Sequence, residues 1–227
     1  MIKTSVIFPA RNEELLIKDC LLDIYRHLNR KKYPFEILVV VNGCIDNTEK
    51  IINNQIKKYK GIQMLKSKAG YGFALRKGIK SARGNFIVIF NVDFYDLHLL
   101  DLIDIDLYGK DFVIGSKMAP WSEDNRSFIR RCISYTFNLY LKLVHGFRGS
   151  DTHGIKVFKR EVSTRVLKDC KTTSGIFDTE FTLRAQKAGF KIADFPVCVF
   201  EKRSPRFGHR LLQTPRDIAE LYLALRS

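Results

Sequence analysis

Apolar residues in the first hundred positions fall alternately into short unbroken runs and helix-spaced sets. Ser5-Val6-Ile7-Phe8, Phe35–Val41 and Phe86-Ile87-Val88-Ile89-Phe90 have the length of buried strands. Between them, residues 13–30 carry Leu15, Leu16, Leu22, Ile24, Tyr25 and Leu28 at helical spacing, and 46–60 and 73–82 read as further helices. A weaker strand is expected at 62–65. Near-continuous Val/Ile/Leu strands alternating with helices predict a mostly parallel sheet covered on both faces. Ligands of such sheets sit at the carboxyl ends of the strands. Here those ends are polar: Pro9-Ala10-Arg11-Asn12-Glu13, Asn42-Gly43-Cys44-Ile45-Asp46 and Asn91-Val92-Asp93.

The second half is less regular. Strands are expected at 112–116, 154–158 and 191–200, a mostly apolar helix at 127–145, and another helix at 178–188. Glu123 and Asp124 fall in the loop before the apolar helix. Thr214-Pro215-Arg216-Asp217 supplies an N-cap, a first-turn proline and an acid, predicting that a last helix starts there. The 227 residues suit one large α/β domain: a nucleotide-binding half (1–95), an acceptor half (96–200) and a basic tail with the last helix (201–227).

Composition adds charge to this picture. Lys and Arg number 39 against 24 Asp and Glu, a net +15, which favours anionic partners. The five cysteines show no CxxC pair and read as buried reduced thiols. No signal peptide and no uncharged run long enough to span a bilayer is present, so a cytosolic chain is expected.

Each polar strand end has a bland account. Asp46 can cap a helix, Asn12 or Glu13 can support a first turn, and Asp93 can begin an Asx turn. Taken together they suit a nucleotide: a base and ribose on the first two, and a diphosphate with Mg²⁺ or Mn²⁺ at the third. Gly70 and Gly72 precede a strand rather than follow one, so they form no dinucleotide loop. They allow close backbone approach, and Arg76 can reach phosphate or a carboxylate.

The order of motifs resembles the family 2 glycosyltransferases of the GT-A fold, especially their dolichyl-phosphate mannosyltransferase-like branch. The matching segments are "IFPARNE", "VVNGCIDNT", "GYGFALRKG", "ARGNFIVIFNVD", "VIGSK", "RSFIRRCISYTFN", "DTHGIKVFKREV" and "FDTEFTLRAQKAGFKIADFPV". The resemblance implies a Rossmann-like three-layer sandwich and transfer of a hexose from a GDP-mannose- or UDP-glucose-type donor to a polyprenyl phosphate. It implies Pro9, Ala10, Arg11, Glu13, Asn42, Asp46, Gly70, Arg76, Asn91 and Val92 as nucleotide-sugar contacts. Asp93 with Asn91 would hold the metal, weakened because Asn91 stands where the family carries an acid. Asp93, Asp151 and Lys117 would be catalytic, while Lys117, Arg126, Arg130, Arg131 and Arg206 would hold the acceptor phosphate. Lys202, Arg203, His209 and Arg210 extend the basic tail.

Two questions stay open at this level. The helix at 127–145 reads equally as a core helix or as one resting on a bilayer, directly or beside a membrane-anchored protein. A hydroxyl acceptor would instead need Asp178 or Glu180 as base. His145 and His153 read as structural. Nucleic acid is not the expected partner, because a diphosphate accounts for the polar strand ends.

Overall fold

The structure, a computed structural model, describes residues 1–199 and 207–226, with side chains of the last helix from Arg216 onward. Seven strands form one sheet: β1 (Thr4–Ala10), β2 (Phe35–Val41), β3 (Ile62–Lys66), β4 (Phe86–Ile89), β5 (Phe112–Ser116), β7 (Ile155–Lys159) and β8 (Ile192–Pro196). Their order is β3-β2-β1-β4-β7-β5-β8. Only β7 runs antiparallel to its neighbours, pairing Ile89 with Lys156 and Gly115 with Ile155. The start of β7 therefore lies beside the ends of β4 and β5, so both halves of the chain contribute to one rim.

Helices cover both faces, as near-continuous apolar strands require. On one side α1 (Ile17–Arg30), α2 (Thr48–Ile56) and α4 (Leu97–Asp101) pack on Val6, Phe8, Val39 and Val88. On the other α3 (Tyr71–Ser81), α6 (Arg160–Val166) and α7 (Phe177–Lys187) pack on Ile7, Val40, Ile87 and Phe112. Alternate strand residues thus supply the two cores. A Cβ on Gly78 would stand 2.5 Å from the Ile7 side chain, so glycine lets α3 lie directly on the sheet. At the sheet end away from the rim, buried Glu36 accepts hydrogen bonds from Ser5 Oγ, the Arg83 amide and the Arg83 guanidinium at 2.6–3.0 Å.

Several expected boundaries change. The first helix begins at Ile17, not residue 13, because Asn12 takes a left-handed φ of 57° and the chain turns before the helix. Glu123 and Asp124 form β6, which pairs with β9 (Cys198–Val199) in a second, two-stranded sheet. The last helix, α8 (Phe207–Arg226), starts before Thr214, so Thr214 is not its N-cap; Pro215 removes one backbone donor without ending the helix. α5 (Phe128–His145) ends at Gly146, whose left-handed φ of 64° closes the helix. Cys20 and Cys170 are buried thiols, but Cys132 and Cys198 are exposed.

Candidate active site

The rim opens with two loops tied to each other. The Asn42 amide nitrogen donates to the Ala10 carbonyl at 3.0 Å, and the Ile45 amide donates to Asn12 Oδ1 at 2.9 Å. Asp46 accepts from the Thr48 hydroxyl at 2.6 Å and from the Thr48 and Glu14 amides at 3.0 and 3.1 Å. Partial burial alone would raise its carboxyl, but these donors outweigh it and hold the group below the usual carboxylate range. Asp46 therefore joins the two loops and holds the first amide of α2. Pro9, Ala10, Asn42 and Val92 are buried, so they shape the floor of the rim, while Arg11 stays exposed.

At the end of β4, the chain makes a turn in which Asn91 and Phe94 exchange backbone hydrogen bonds at 3.1 and 3.2 Å. This puts Asn91 and Asp93 at the mouth of the sheet. Tyr71 of α3 donates its hydroxyl to Asp178 at 3.0 Å and lies 3.3 Å from Asn91 Oδ1. Loss of solvent, then the charges of Asp178 and Asp93, push the Tyr71 phenol well above its usual range, so it stays a donor. Asp178, at the start of α7, pairs with fully buried Lys156 at 3.1 Å, and Lys156 also donates to the Gly154 carbonyl at 2.6 Å.

Lys117 and Asp151 meet in a second ion pair at 2.8 Å, both side chains largely covered. Burial would raise the Asp151 carboxyl, but Lys117 and the His153 amide hold it well below the usual range. The loop carrying Asp151 is fixed from α5: buried Asn138 donates to the Ser150 carbonyl, and Ser150 donates to Asp194 from its amide (2.8 Å) and hydroxyl (2.6 Å). His153 leaves part of its surface open on the rim, while its ring packs against neighbours. Its ring lies edge-on to Phe137 at 5.6 Å, and Nδ1 is 3.3 Å from the Thr152 hydroxyl. Loss of solvent on its packed side pushes the imidazole down to about 4, against the opposing pull of Asp178 and Asp151. It is neutral at neutral pH.

The other expected site residues have different places. The Arg76 guanidinium donates to the carbonyls of Cys170 (2.6 Å) and Thr172 (3.3 Å) and stacks over Phe177. It anchors α3 to a loop and is not on the rim. Gly72 lies against that same loop: a Cβ there would stand 2.5 Å from the Thr173 carbonyl carbon, while one on Gly70 would meet the Phe73 ring at 3.1 Å. Arg126 is neutralised by Asp124 at 2.7 Å. Glu180 accepts from Lys171, Thr172 and Arg184, so it is committed to structure and not available as a base. Arg206, with Lys202 and Arg203, lies outside the described residues, as do the side chains of His209 and Arg210. Sequence reasoning gave no role to Tyr71 or Lys156; a tyrosine and a lysine far apart in the chain carry no local signal.

Among the described residues no three His, Cys, Asp or Glu side chains group to hold a metal. One carboxylate and one amide oxygen at the β4 turn fit a hard cation that draws its other ligands from a diphosphate and water. They do not fit an ion held by protein alone.

Comparison with known proteins decides the family. The Glycosyl transferase family 2 profile matches residues 5–166, most of the chain and all of the rim's first three strand ends. The chain belongs to that family. Among curated family relatives, it is 30% identical to a dolichyl-phosphate beta-glucosyltransferase of Dictyostelium discoideum, covering 85% of this chain and 65% of that protein. It is 31% identical to glycosyltransferase AglD of Haloferax volcanii, covering 86% of this chain and 33% of that one. The chain thus spans less than two-thirds of the length of these relatives. Glucosyl-3-phosphoglycerate synthase of Mycobacterium tuberculosis, solved with Mg²⁺ and UDP, superposes with a TM-score of 0.74 at 16% identity, over 98% of this chain and 79% of that one. That likeness shows the GT-A fold.

Proposed function

We propose that this chain is an inverting glycosyltransferase that moves a hexose from a nucleotide-diphosphate sugar to a polyprenyl phosphate at a membrane surface. The observation that carries this reading is that the Asp93–Asn91 turn after β4 and the Lys117–Asp151 pair after β5 stand on one rim, with only the start of β7 between them. The curated relatives named for dolichyl phosphate and beta-glucosyl transfer support the acceptor class and make glucose the sugar to test first.

In this reading the base and ribose rest on the floor of Pro9, Ala10 and Asn42, edged by Arg11 and Glu13. Asp93 and Asn91 would hold a Mg²⁺ or Mn²⁺ ion, which when bound would neutralise the diphosphate leaving group. A phosphate oxygen of the acceptor attacks the anomeric carbon from the face opposite the diphosphate. The new C–O bond forms as the bond to the diphosphate breaks, and that group leaves with the electron pair. A phosphate nucleophile is already ionised, so no general base is required. This agrees with Asp178, whose oxygens are taken by Lys156 and Tyr71. Lys117, fixed by Asp151, with Arg130 and Arg131 of α5, is suited to orient the acceptor phosphate. Tyr71 and His153 offer neutral hydrogen-bonding groups to the sugar hydroxyls.

The test is transfer of labelled glucose from UDP-glucose to a polyprenyl phosphate, scored in the organic extract. Label in the lipid that disappears in Asp93→Ala supports the reading. Label released only as free glucose, or none moved from UDP- or GDP-sugars, refutes it.

A further inference from the structure

The fold leaves most of helix α5 uncovered, including a run of large apolar side chains along one side. Phe128 is 77% exposed, Tyr135 63%, Leu139 43% and Leu143 77%. At 100° per residue these four and exposed Cys132 fall within an arc of about 80°. Ile129 and Val144 are also exposed, outside that arc; Leu141 is buried on the far side, Asn138 is buried beside the stripe, and Phe137 lies against His153. The helix therefore presents a continuous apolar stripe outward while its other side supports the cleft.

Charge identifies what would cover the stripe. Arg126 is neutralised by Asp124, but from Arg130 to Ser150 the chain contains Arg130, Arg131, Lys142 and Arg148 and no Asp or Glu. Arg131 and Lys142 are exposed and flank one shoulder of the stripe, about 20–40° from Tyr135. An apolar band bordered by cations, with no acid among them, matches an interface whose surface is anionic and whose interior is hydrocarbon. A second copy of the chain would bring the same cations and a net charge of +15 against it. No helix among the described residues is long and apolar enough to cross a membrane, so α5 would lie along the surface.

We propose that the outward stripe of α5 docks on an anionic lipid bilayer, with Phe128, Tyr135, Leu139 and Leu143 entering the headgroup boundary. The docking rests on these observations alone. Its consequence, delivery of a lipid phosphate to Lys117, rests on the function proposed above.

The experiment is flotation of the full chain with phosphatidylcholine vesicles, with and without phosphatidylserine. The expected result is co-flotation with the anionic vesicles that weakens as salt rises. Leu143→Glu should reduce the partition roughly tenfold or more, and Lys142→Gln roughly fivefold. Both positions are exposed, so unchanged thermal melting verifies that the variants fold. Absence of flotation, or flotation indifferent to Leu139→Glu and Leu143→Glu, overturns the proposal. Self-association in sedimentation velocity that Leu143→Glu abolishes, without vesicle binding, overturns it in favour of a second copy. Glucose transfer to a short, water-soluble isoprenyl phosphate separates the two claims. Transfer without flotation removes the docking and keeps the function, while flotation without transfer does the reverse.

Discussion

Replacing Lys156 with methionine tests whether the cleft is held by its buried charges. Lys156 is fully buried, 3.1 Å from Asp178, which is itself 3% exposed. With an effective dielectric near 20, the direct attraction at that separation is about 5 kcal/mol, most of it offset by the desolvation of both ions. Methionine fills much of the volume but leaves the Asp178 carboxylate buried with only the Tyr71 hydroxyl. Breaking a buried pair from one side destabilises by about 3–5 kcal/mol. In a chain of this size that lowers the melting temperature by about 6–20 °C. Removing both charges in Lys156→Met/Asp178→Asn should restore most of the loss, since Asn keeps an acceptor for Tyr71. The assay is a double-mutant cycle by urea denaturation, with a coupling of at least about 2 kcal/mol expected. Additivity within about 0.5 kcal/mol would refute the reasoning, because two charges that do not sense each other cannot be holding one site together.

Three further outcomes follow from the same structure. Gly72→Ala drives a Cβ to 2.5 Å from the Thr173 backbone and should destabilise by about 1–3 kcal/mol in urea melts. Arg76→Met strands the Cys170 and Thr172 carbonyls, so it should lower stability by about 1–3 kcal/mol while leaving nucleotide affinity unchanged in calorimetry. His153 should titrate near 4 by NMR rather than near the ordinary 6.5. The unfolded chain then takes up this proton before the folded one does. Stability from His153 is present above about 6.5 and lost as pH falls towards 4, and His153→Gln should flatten that slope.

The central strands and the polar ends of β1, β2 and β4 were legible because unbroken Val/Ile runs with polar stops have few other uses. The Asp93 turn was legible in position, though the residue alone favoured a plain turn, and the ligand reading came from the three strand ends together and the resemblance. Lys117 and Asp151 were singled out through resemblance, and the sequence held nothing to say that they would touch. Arg76 was misplaced because its spacing says only which helix face it occupies; Gly72 packs that face on the 170–174 loop, where carbonyls take the guanidinium. The Lys156–Asp178–Tyr71 cluster stayed invisible because three elements distant in sequence build it. For α5 the apolar pattern fitted a core helix or a surface helix equally, and only its packing, inward through Leu141 and outward through Leu143, separated the two.

The most direct measurement is thermal stabilisation by UDP, GDP and their sugar conjugates, each with and without Mn²⁺. A ligand at a hundredfold its dissociation constant adds about 2.7 kcal/mol of apparent stability. The account predicts that one nucleotide diphosphate stabilises the chain, that Mn²⁺ strengthens the effect, and that Asp93→Asn removes the strengthening. A chain whose melting none of these ligands shifts would contradict it.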